Sequence, residues 1–393
     1  MMLAHHGAFP QVRGGVDAML NTLAASLPEQ GARVSVFNIA PWTQPQWTRH
    51  QEGEITVHSG RLRPLWDPKS PIKGFLGGLW EGVRTLWRLR RLCREESVDV
   101  IHLFTCQTQH AYFTLLRLVS GPRYVITYVG SDILKFPERP RSRVWLLRWI
   151  ASHAHAITAV AEHLADAARE RFPHLRSRIR ALLNGVDLAG VVATPEDDAE
   201  ALEIIAQLPA RFALQVACLD PIKAQDAVIQ AWEQVQARHP DLHLVFMGTA
   251  ANEPPQIALM NELMARNPGR DRIHVFDSPP RAAALAAMRR AEMMIHPSRS
   301  EGLPFVLLEC GAFNLPGVFS RIRPYVDLLD DGKEGLLATL DDPDAIAAAM
   351  NQLADDPLAA RAMGRALGER VRARHDARVM AKSYFELYCQ IVE

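Results

Sequence analysis

The chain has 393 residues, of which 48% are hydrophobic and 22% charged, so it has the composition of a globular protein and the length for two domains. Its five cysteines are scattered without a C-x-x-C pair, so we expect reduced thiols in a cytosolic protein, with neither a disulfide framework nor a zinc site. No apolar run is long enough to span a bilayer and no basic-then-apolar leader opens the sequence, so we expect a soluble, cytoplasmic protein.

The net charge of zero hides an asymmetry. Residues 1–185 carry 24 Lys and Arg against 14 Asp and Glu, a net of +10, and the remainder carries the opposite net charge. Seven of the eight tryptophans also lie before residue 185. Opposite charge on the two halves predicts two domains with different partners.

The chain opens with a strand at 2–5, a loop ending in Gly14-Gly15, a helix at 16–30 and a strand at 33–39. This order is typical of the start of a doubly wound α/β domain. The loop lacks G-x-G-x-x-G, so it does not predict a dinucleotide site, and a tight turn is one explanation for its glycines.

Residues 41–82 read as irregular, and two basic segments with tryptophan follow, at 80–94 and 139–149. A basic amphipathic helix with tryptophan is what a membrane-surface binder needs, and together the two segments favour peripheral membrane contact. The alternative is a pair of ordinary helices with solvated arginines. Nucleic-acid binding would use the same charges, but nothing else in the chain supports it.

Further strands are predicted at 98–104, 124–132, 156–160 and 179–183, and we interpret His102 as a packed core histidine. The turn Gly130-Ser131-Asp132 ends the second of these strands. Asn184-Gly185 is a turn signal, and we place a domain boundary near 185–210. The α/β alternation then restarts with strands at 212–218, 242–247 (followed by Gly248) and 273–276.

The most informative stretch is 293–316. A buried parallel strand at 293–295 breaks at Pro297, Gly302 gives the backbone room to turn, and Pro304 suits the first turn of a helix that stops near 314–316. Free amide groups around Gly302, Leu303 and Phe305 can bind an anion such as a phosphate, aided by the helix dipole.

The pattern H-P-S-x-x-E-G-x-P-x-x-x-L-E, from His296 to Glu309, resembles the E-x7-E signature of the retaining, nucleotide-sugar-dependent glycosyltransferases of family 4. The resemblance implies a GT-B fold: two Rossmann-like doubly wound α/β domains that face a central cleft. We expect the N-terminal acceptor-side domain at 1–185, the C-terminal nucleotide-sugar-binding domain at 186–375, and a last helix at 376–393 that packs back toward the first domain.

The resemblance also implies roles for individual residues. The catalytic set that we carry over is Glu301, Lys223 and Asp132. The donor-binding set is Gly14, Gly15, Gly130, Gly248, Gly302, Leu303, Pro304, Phe305 and Glu309. Glu301 would position the sugar, Glu309 would reach the ribose diol, and Lys223 would oppose the diphosphate.

Several positions depart from the family pattern. Val129 stands where a histidine often faces the donor sugar, and Cys218 where an arginine grips the diphosphate. Ala217 and Ala224 replace glycines, and the family's Gly-x-Gly becomes Gly248-Thr249-Ala250. Valine cannot transfer a proton and cysteine cannot supply a guanidinium fork, so these parts of the family mechanism do not carry over.

No metal or other cofactor is expected. The D-x-D at Asp342 and Asp344 has a metal-binding spacing, but it stands just before an alanine-rich helix, where helix capping explains it better. The nucleotide sugar is a substrate, and we favour a UDP-sugar over a GDP-sugar.

The sequence therefore predicts a retaining hexosyltransferase that acts on a lipid-linked or cell-envelope glycan acceptor, in polysaccharide biosynthesis, with peripheral contact to the inner face of the membrane. Two alternatives stay open: a degenerate, non-catalytic subunit and a nucleotide-sugar epimerase on the same fold.

Overall fold

The computed structural model describes residues 1–11, 15–40, 47–62, 73–119, 121–195, 198–248 and 254–393. The chain divides into two compact units. We call residues 1–185 with 377–393 the N-terminal unit, and residues 186–376 the C-terminal unit. Each contains a mainly parallel sheet with helical crossovers, which confirms the predicted α/β fold class.

In the described part of the N-terminal unit there are eight strands, which are β1 (Met2–His5), β2 (Ser35–Ala40), β3 (Thr48–Glu52), β4 (Ile55–Arg61), β5 (Val100–Phe104), β6 (Arg123–Tyr128), β7 (Ala156–Ala159) and β8 (Ile179–Ala181). Helices of the same region are α1 (Gly15–Ser26), α2 (Lys73–Glu95), α3 (Ala111–Leu118), α4 (Ser131–Leu134), α5 (Arg141–Ser152) and α6 (Glu162–Arg171).

The sheet order is β3-β4-β2-β1-β5-β6-β7-β8, and only β3 runs antiparallel to its neighbour. The central strands β1, β5 and β6 are buried nearly throughout, as expected for parallel strands covered by helices on both faces. Helix α1 leads from β1 to β2, whereas α3 leads from β5 to β6 in the opposite direction along the sheet.

Among its described residues, the C-terminal unit has six strands, which are β9 (Phe212–Val216), β10 (His243–Gly248), β11 (Ile273–Asp277), β12 (Met293–His296), β13 (Gly317–Ser320) and β14 (Leu336–Ala338). Its helices are α7 (Leu188–Ala193), α8 (Ala199–Ala206), α9 (Gln225–Arg238), α10 (Pro254–Arg266), α11 (Arg281–Arg290), α12 (Phe305–Phe313), α13 (Arg323–Val326), α14 (Pro343–Asp355) and α15 (Pro357–Arg374).

All strands of this second sheet are parallel, in the order β11-β10-β9-β12-β13-β14. Trp232 of α9, Phe246 of β10 and Ile295 of β12 belong to one buried cluster between the sheet and the helices on one face. The helix predicted after residue 304 begins at Phe305, and Asn314 ends it in the left-handed conformation that commonly closes a helix. The Asp342 side chain accepts from the amide of Ala345 at 3.0 Å, so it caps α14 as predicted.

The last helix, α16 (Ala377–Val392), belongs to the N-terminal unit. Two of its tyrosines reach a buried polar network on the sheet. The hydroxyl of Tyr388 lies 2.7 Å from His102 Nδ1, and His102 Nε2 lies 2.5 Å from Thr127 Oγ1. Tyr384 contacts the same threonine at 3.3 Å. His102 is a core histidine, as predicted, and burial lowers its pKa to about 3.

One prediction is wrong. Much of 41–82, expected to be irregular, forms the antiparallel pair β3 and β4, and α2 begins at Lys73 rather than at residue 80. All five residues of β3 are exposed, so this edge strand lacks the alternating apolar pattern from which a strand is predicted. Residues 41–46 and 63–72 of that stretch lie outside the described residues.

The polar network predicts that Tyr388→Phe lowers the free energy of unfolding more than Tyr384→Phe does. Tyr388→Phe leaves the buried Nδ1 of His102 without its partner, so we expect a loss of about 1–3 kcal/mol in the free energy of unfolding. Tyr384→Phe removes only longer contacts, because Thr127 keeps both His102 and Thr158 as partners. We expect it to cost about 1 kcal/mol or less. Urea unfolding measures both, and equal losses would contradict the asymmetry.

Candidate active site

The functional side chains of the C-terminal unit gather where its chain order reverses. Strands β9 and β12 are neighbours, but α9 leads from β9 to β10 while α12 leads from β12 to β13 on the other side. The chain therefore leaves the carboxyl ends of β9 and β12 in opposite directions along the sheet. In open α/β sheets, ligands bind at such a topological switch point.

Each of these two loops contributes one residue of the predicted catalytic set. Lys223 ends a short 3₁₀ turn after β9, and Glu301 lies in the loop after β12. The Nζ atom of Lys223 is 2.6 Å from Oε1 of Glu301, and the two side chains are 21% and 10% exposed. The structure thus brings together a cation and a carboxylate that are 78 positions apart in the sequence.

Arg299 joins the same two loops. Its amide donates to the carbonyl of Ile222 at 2.7 Å, and its guanidinium binds both carboxylate oxygens of Asp226 at 3.1 and 2.8 Å. Its Nε also donates to Asp341 at 2.7 Å. A planar guanidinium suits such two-point pairing with a carboxylate. Arg299 therefore fixes the loop of Glu301 on the turn that carries Lys223.

The start of α12 is open to an anion. Pro304 occupies the N-cap position and supplies no capping side chain, and Gly302 just before it is half-buried. Within the described residues, the amides of Gly302, Leu303 and Phe305 donate no backbone hydrogen bond. Free amides at a helix start, together with the helix dipole, favour negative charge, and the ion pair of Lys223 with Glu301 lies in the loop just before them.

Glu309 lies in the second turn of α12, and its side chain is only 7% exposed. Its Oε1 accepts from Arg281 Nη2 at 2.5 Å. Burial raises the pKa of Glu309, and the neighbouring guanidinium opposes that rise. Sequence reasoning missed Arg281, which begins α11, because nothing in the E-x7-E pattern points to a residue 28 positions earlier.

The side chain of His296 lies next to that of Glu301. His296 ends β12, is 2% exposed, and places Nδ1 at 2.5 Å from the hydroxyl of Tyr325 and 4.0 Å from Oε1 of Glu301. Burial lowers the pKa of His296 to about 4, so its ring is neutral near pH 7. Tyr325, from α13, is a second residue that the sequence did not indicate.

Ala224 and Cys218, which depart from the family pattern, both lie in the segment between β9 and α9. Ala224 adopts φ 52 and ψ 36, the left-handed conformation, in which an alanine costs about 1–2 kcal/mol relative to glycine. Cys218 is exposed. Gly248 is required by close packing, because a Cβ there would lie 1.8 Å from the carbonyl oxygen of Ala217.

The remaining predicted site residues belong to the N-terminal unit. Gly14 lies outside the described residues, and Gly15 is the exposed first residue of α1. Gly130 has φ 152 and ψ −102, a conformation that is essentially restricted to glycine. Val129 precedes it at the end of β6, where no imidazole is present.

The side chain of Asp132 stabilises the turn at Val129 and Gly130 through hydrogen bonds. Its Oδ1 accepts from the amides of Val129 at 3.1 Å and Gly130 at 2.9 Å, and the residue is 6% exposed. Burial raises the pKa of Asp132 to about 6, against the opposing effect of these hydrogen bonds. Its Oδ2 is buried without a partner. Within the described residues, no group of three or more His, Cys, Asp or Glu side chains could hold a metal ion.

The raised pKa of Asp132 predicts that the stability difference between the wild type and Asp132→Asn depends on pH. Because its pKa is raised in the fold, its stabilising contribution is fully present below about pH 4 and is lost as the pH rises through about 6. Asparagine keeps the accepting oxygen without the charge. The free energy of unfolding of Asp132→Asn should therefore equal that of the wild type near pH 4 and exceed it by up to about 3 kcal/mol at pH 7.5.

Urea unfolding across this pH range measures the difference. Asp342→Asn is the matched control, because Asp342 also accepts from a backbone amide and asparagine caps helices equally well. A pH-independent difference for Asp132→Asn would contradict the assignment.

Each half of the chain matches a known family model of glycosyltransferases. Residues 13–189 match the family model described as Glycosyltransferase Family 4, and residues 198–370 match that of Glycosyl transferases group 1. The chain is 25% identical to the alpha-D-kanosaminyltransferase of Streptomyces kanamyceticus, over 86% of this chain and 90% of that protein. It is 26% identical to the phosphatidyl-myo-inositol mannosyltransferase of Mycolicibacterium smegmatis, over 96% and 90%.

The fold is also similar to that of HepE from Anabaena, solved in complex with UDP and glucose. The TM-score is 0.75 at 17% identity, and the match covers 98% of each chain.

Proposed function

The chain belongs to the family 4 type of glycosyltransferases, with the GT-B fold, and from that premise we propose a specific reaction. We propose that it transfers a hexose from a UDP-sugar to a lipid-linked or cell-envelope glycan acceptor, with retention at the anomeric carbon. The observation that carries this proposal is the pairing of Lys223 with Glu301 beside the free amides at the start of α12.

In the proposed reaction, the bond between the anomeric carbon and the β-phosphate oxygen breaks and its electrons leave with the diphosphate. The acceptor oxygen bonds to the same face of the sugar, and the acceptor proton passes to the departing phosphate oxygen. Charge therefore grows on the diphosphate in the transition state. Lys223 and the amides of Gly302 and Leu303 are preorganised to stabilise such charge, which is usually the largest contribution to catalysis.

The carboxylates have different proposed roles. Glu301 would accept hydrogen bonds from the sugar, since Lys223 and Arg299 hold its loop in place. Glu309 would bind the ribose diol, because a buried carboxylate on a helix accepts hydroxyl protons well and Arg281 fixes its orientation. The donor-binding roles that the family resemblance implies for Gly14, Gly15, Gly130 and Gly248 stay predictions.

Glu309 gives the test of the donor site. Glu309→Ala should weaken UDP binding about 10- to 100-fold, the loss expected for hydrogen bonds to a charged group. Glu309→Gln, which keeps the shape and one acceptor oxygen, should lose less. Isothermal titration calorimetry with UDP measures both, and the melting temperature verifies folding.

Glu292 provides the matched control. It pairs with Arg211 at 2.6 Å just before β12, at the opposite end of that strand from the site. Glu292→Ala should change UDP affinity less than about twofold, well below the effect of a lost hydrogen bond. Unchanged affinity in folded Glu309→Ala would remove its assigned role. UDP binding by the wild type with no sugar transfer to any acceptor would favour a non-catalytic subunit, and release of an altered free sugar would favour an epimerase.

We also propose that the N-terminal unit binds an anionic membrane surface at the cytoplasmic face. Helix α3 contacts both α2 and α5, so these three helices form one layer on the sheet. Three tryptophans of this layer are exposed: Trp80 and Trp87 of α2 by 73% and 61%, and Trp145 of α5 by 69%. Large apolar side chains exposed together are unusual unless they meet a partner.

The charge of the layer fits an anionic surface. Its exposed or half-buried arginines are Arg84, Arg88, Arg90, Arg91, Arg94, Arg117, Arg141, Arg143 and Arg148. Helices α3 and α5 contain no acidic residue, and Glu81 and Glu95 of α2 pair with Arg61 and Arg91. Among the helices that the structure describes, none is long and apolar enough to cross a bilayer.

Vesicle sedimentation tests this surface. We expect binding to phosphatidylglycerol vesicles but not to phosphatidylcholine vesicles, with a loss as salt rises, because each arginine near the surface contributes about 1 kcal/mol. Trp80→Ala with Trp87→Ala should reduce binding at least about tenfold, since each buries a large apolar area in the interface. Leu358→Ala is the control, because Leu358 is 78% exposed on α15 of the other unit. Equal binding by both variants would contradict the proposal.

A further inference from the structure

The N-terminal unit contains a cavity at the edge of its sheet that is opposite to its own topological switch point. That switch point lies at the carboxyl ends of β1 and β5, where α1 and α3 lead away in opposite directions and where the loops contain His6 and His110. The cavity lies at the amino ends of the same strands, beside the last turns of α16. Its volume is about 430 Å³, which is in the range of small-molecule sites.

Two walls of the cavity are turns that hold their own conformation. The turn before β2 contains Gly31, which has a left-handed φ of 88 and an amide that donates to the carbonyl of Pro28 at 2.9 Å. The turn after α2 contains Ser97, which has a φ of 49 and an amide that donates to the carbonyl of Arg94 at 3.2 Å. Hydrogen bonds within each turn therefore fix these two walls without a ligand.

Helix α16 forms the third wall, and two contacts fix its last turns. The hydroxyl of Tyr388 lies 2.7 Å from Nδ1 of the buried His102, and Oε1 of Gln390 accepts from Arg180 of β8 at 2.9 Å. The helix also packs on α1. The cavity is therefore preformed, as small-molecule sites usually are.

Part of the lining is apolar. Val392 is 46% exposed and Phe385 is half-buried, and the buried Val100 and Tyr388 also line the cavity. A ring or a short chain placed against these residues would remove apolar surface from water, which favours binding.

One carboxylate of the lining is already compensated. Glu96 is buried, and its Oε1 lies 3.1 Å from Nε2 of His58 and 3.1 Å from Nη2 of Arg49. Arg33, the guanidinium of the lining, is directed at the same residue, because its Nη2 lies 3.4 Å from the carbonyl oxygen of Glu96 and 4.0 Å from Oε2. The charges of Arg33 and Arg49 are therefore engaged by Glu96.

Two other carboxylates of the lining are not compensated in this way. Within the described residues, the exposed side chains of Asp99 and Glu393 form no ion pair and no hydrogen bond. The amino group of Met1 also lines the cavity, but it donates to the carbonyl of Arg33 at 2.7 Å, and burial lowers its pKa against the opposing effect of Asp99. The cavity thus holds more negative than positive charge, which favours a cation and opposes an anion.

We propose that this cavity binds a small organic amine. The ammonium group pairs with Asp99, and the apolar part of the ligand, a ring or a short chain, packs on Phe385 and Val392. This inference goes beyond the proposed sugar transfer, because the cavity shares no lining residue with the candidate active site or with the arginines of α2, α3 and α5.

Cysteine labelling tests the site in the full chain. Cys389 lines the cavity and is exposed, Cys218 in the C-terminal unit is the other exposed cysteine, and the remaining three are buried. Methyl methanethiosulfonate reacts with thiols and not with amines, and mass spectrometry gives the labelling rate of each cysteine. We expect benzylamine, titrated into the millimolar range that suits so small a ligand, to slow the labelling of Cys389 and not that of Cys218.

Two probes of similar shape separate the effect of the charge from that of the ring. Benzyl alcohol keeps the ring without the charge, so about tenfold more of it should be needed to protect Cys389, the difference between a charge-assisted and a neutral hydrogen bond. Benzoate has the opposite charge and should give no protection. Absence of protection by benzylamine, equal protection by benzoate, or equal slowing at Cys218 would each overturn the proposal.

Variants of Asp99 complete the test. Asp99→Asn should weaken the protection by benzylamine about tenfold and leave that by benzyl alcohol unchanged. Asp99→Lys should reverse the preference, so that benzoate protects better than benzylamine. Asp99 is exposed, so both variants should fold, and the melting temperature verifies this. Glu52→Gln is the matched control, because Glu52 is an exposed carboxylate on β3 of the same unit. Unchanged protection by benzylamine in both folded Asp99 variants would contradict the assigned ligand class.

Discussion

The candidate site of the C-terminal unit depends on one guanidinium. Arg299 binds Asp226 at the start of α9 and Asp341 before α14, and its backbone amide fixes the turn that carries Lys223. Without it, two carboxylates would face the amine and the free helix start at the same site, and their negative charge would oppose a diphosphate. Arg299 thus ties together the two loops of the site and partly compensates the charge of two carboxylates beside it.

Helix α12, at whose start we propose that the diphosphate binds, is packed closely against α15. Gly364 and Gly368 of α15 lie so close to Asn314, the end of α12, that added Cβ atoms would come within 2.0 and 2.1 Å of it. Gly311 makes a similar approach to Val371. Such close packing leaves α12 little freedom to shift, so Glu309 and the free amides at the start of this helix keep a fixed position. Sites supported in this way hold their geometry better than sites on loops alone.

The sequence predicted the fold class and most strands because buried parallel strands read as short apolar runs between turn signals. It also indicated α12 and its two glutamates, since that pattern lies within one short stretch. It could not indicate Arg281 as the partner of Glu309, or Tyr325 as the partner of His296, because these pairs form only when distant segments fold together. The edge strand β3 was missed because an exposed strand has no apolar period.

The two switch points differ in chemistry in a way that the overall charge does not suggest. The N-terminal unit is the basic half of the chain, yet the carboxyl edge of its sheet carries neutral imidazoles and the buried Asp132 turn, and nine of its described arginines lie on the layer formed by α2, α3 and α5. The acidic C-terminal half presents Lys223 paired with Glu301 beside the free amides at the start of α12, and Arg299 pairs with Asp226 and Asp341 close by. Local pairing, rather than the net charge of a half, therefore decides which charges remain available at the carboxyl edge of each sheet.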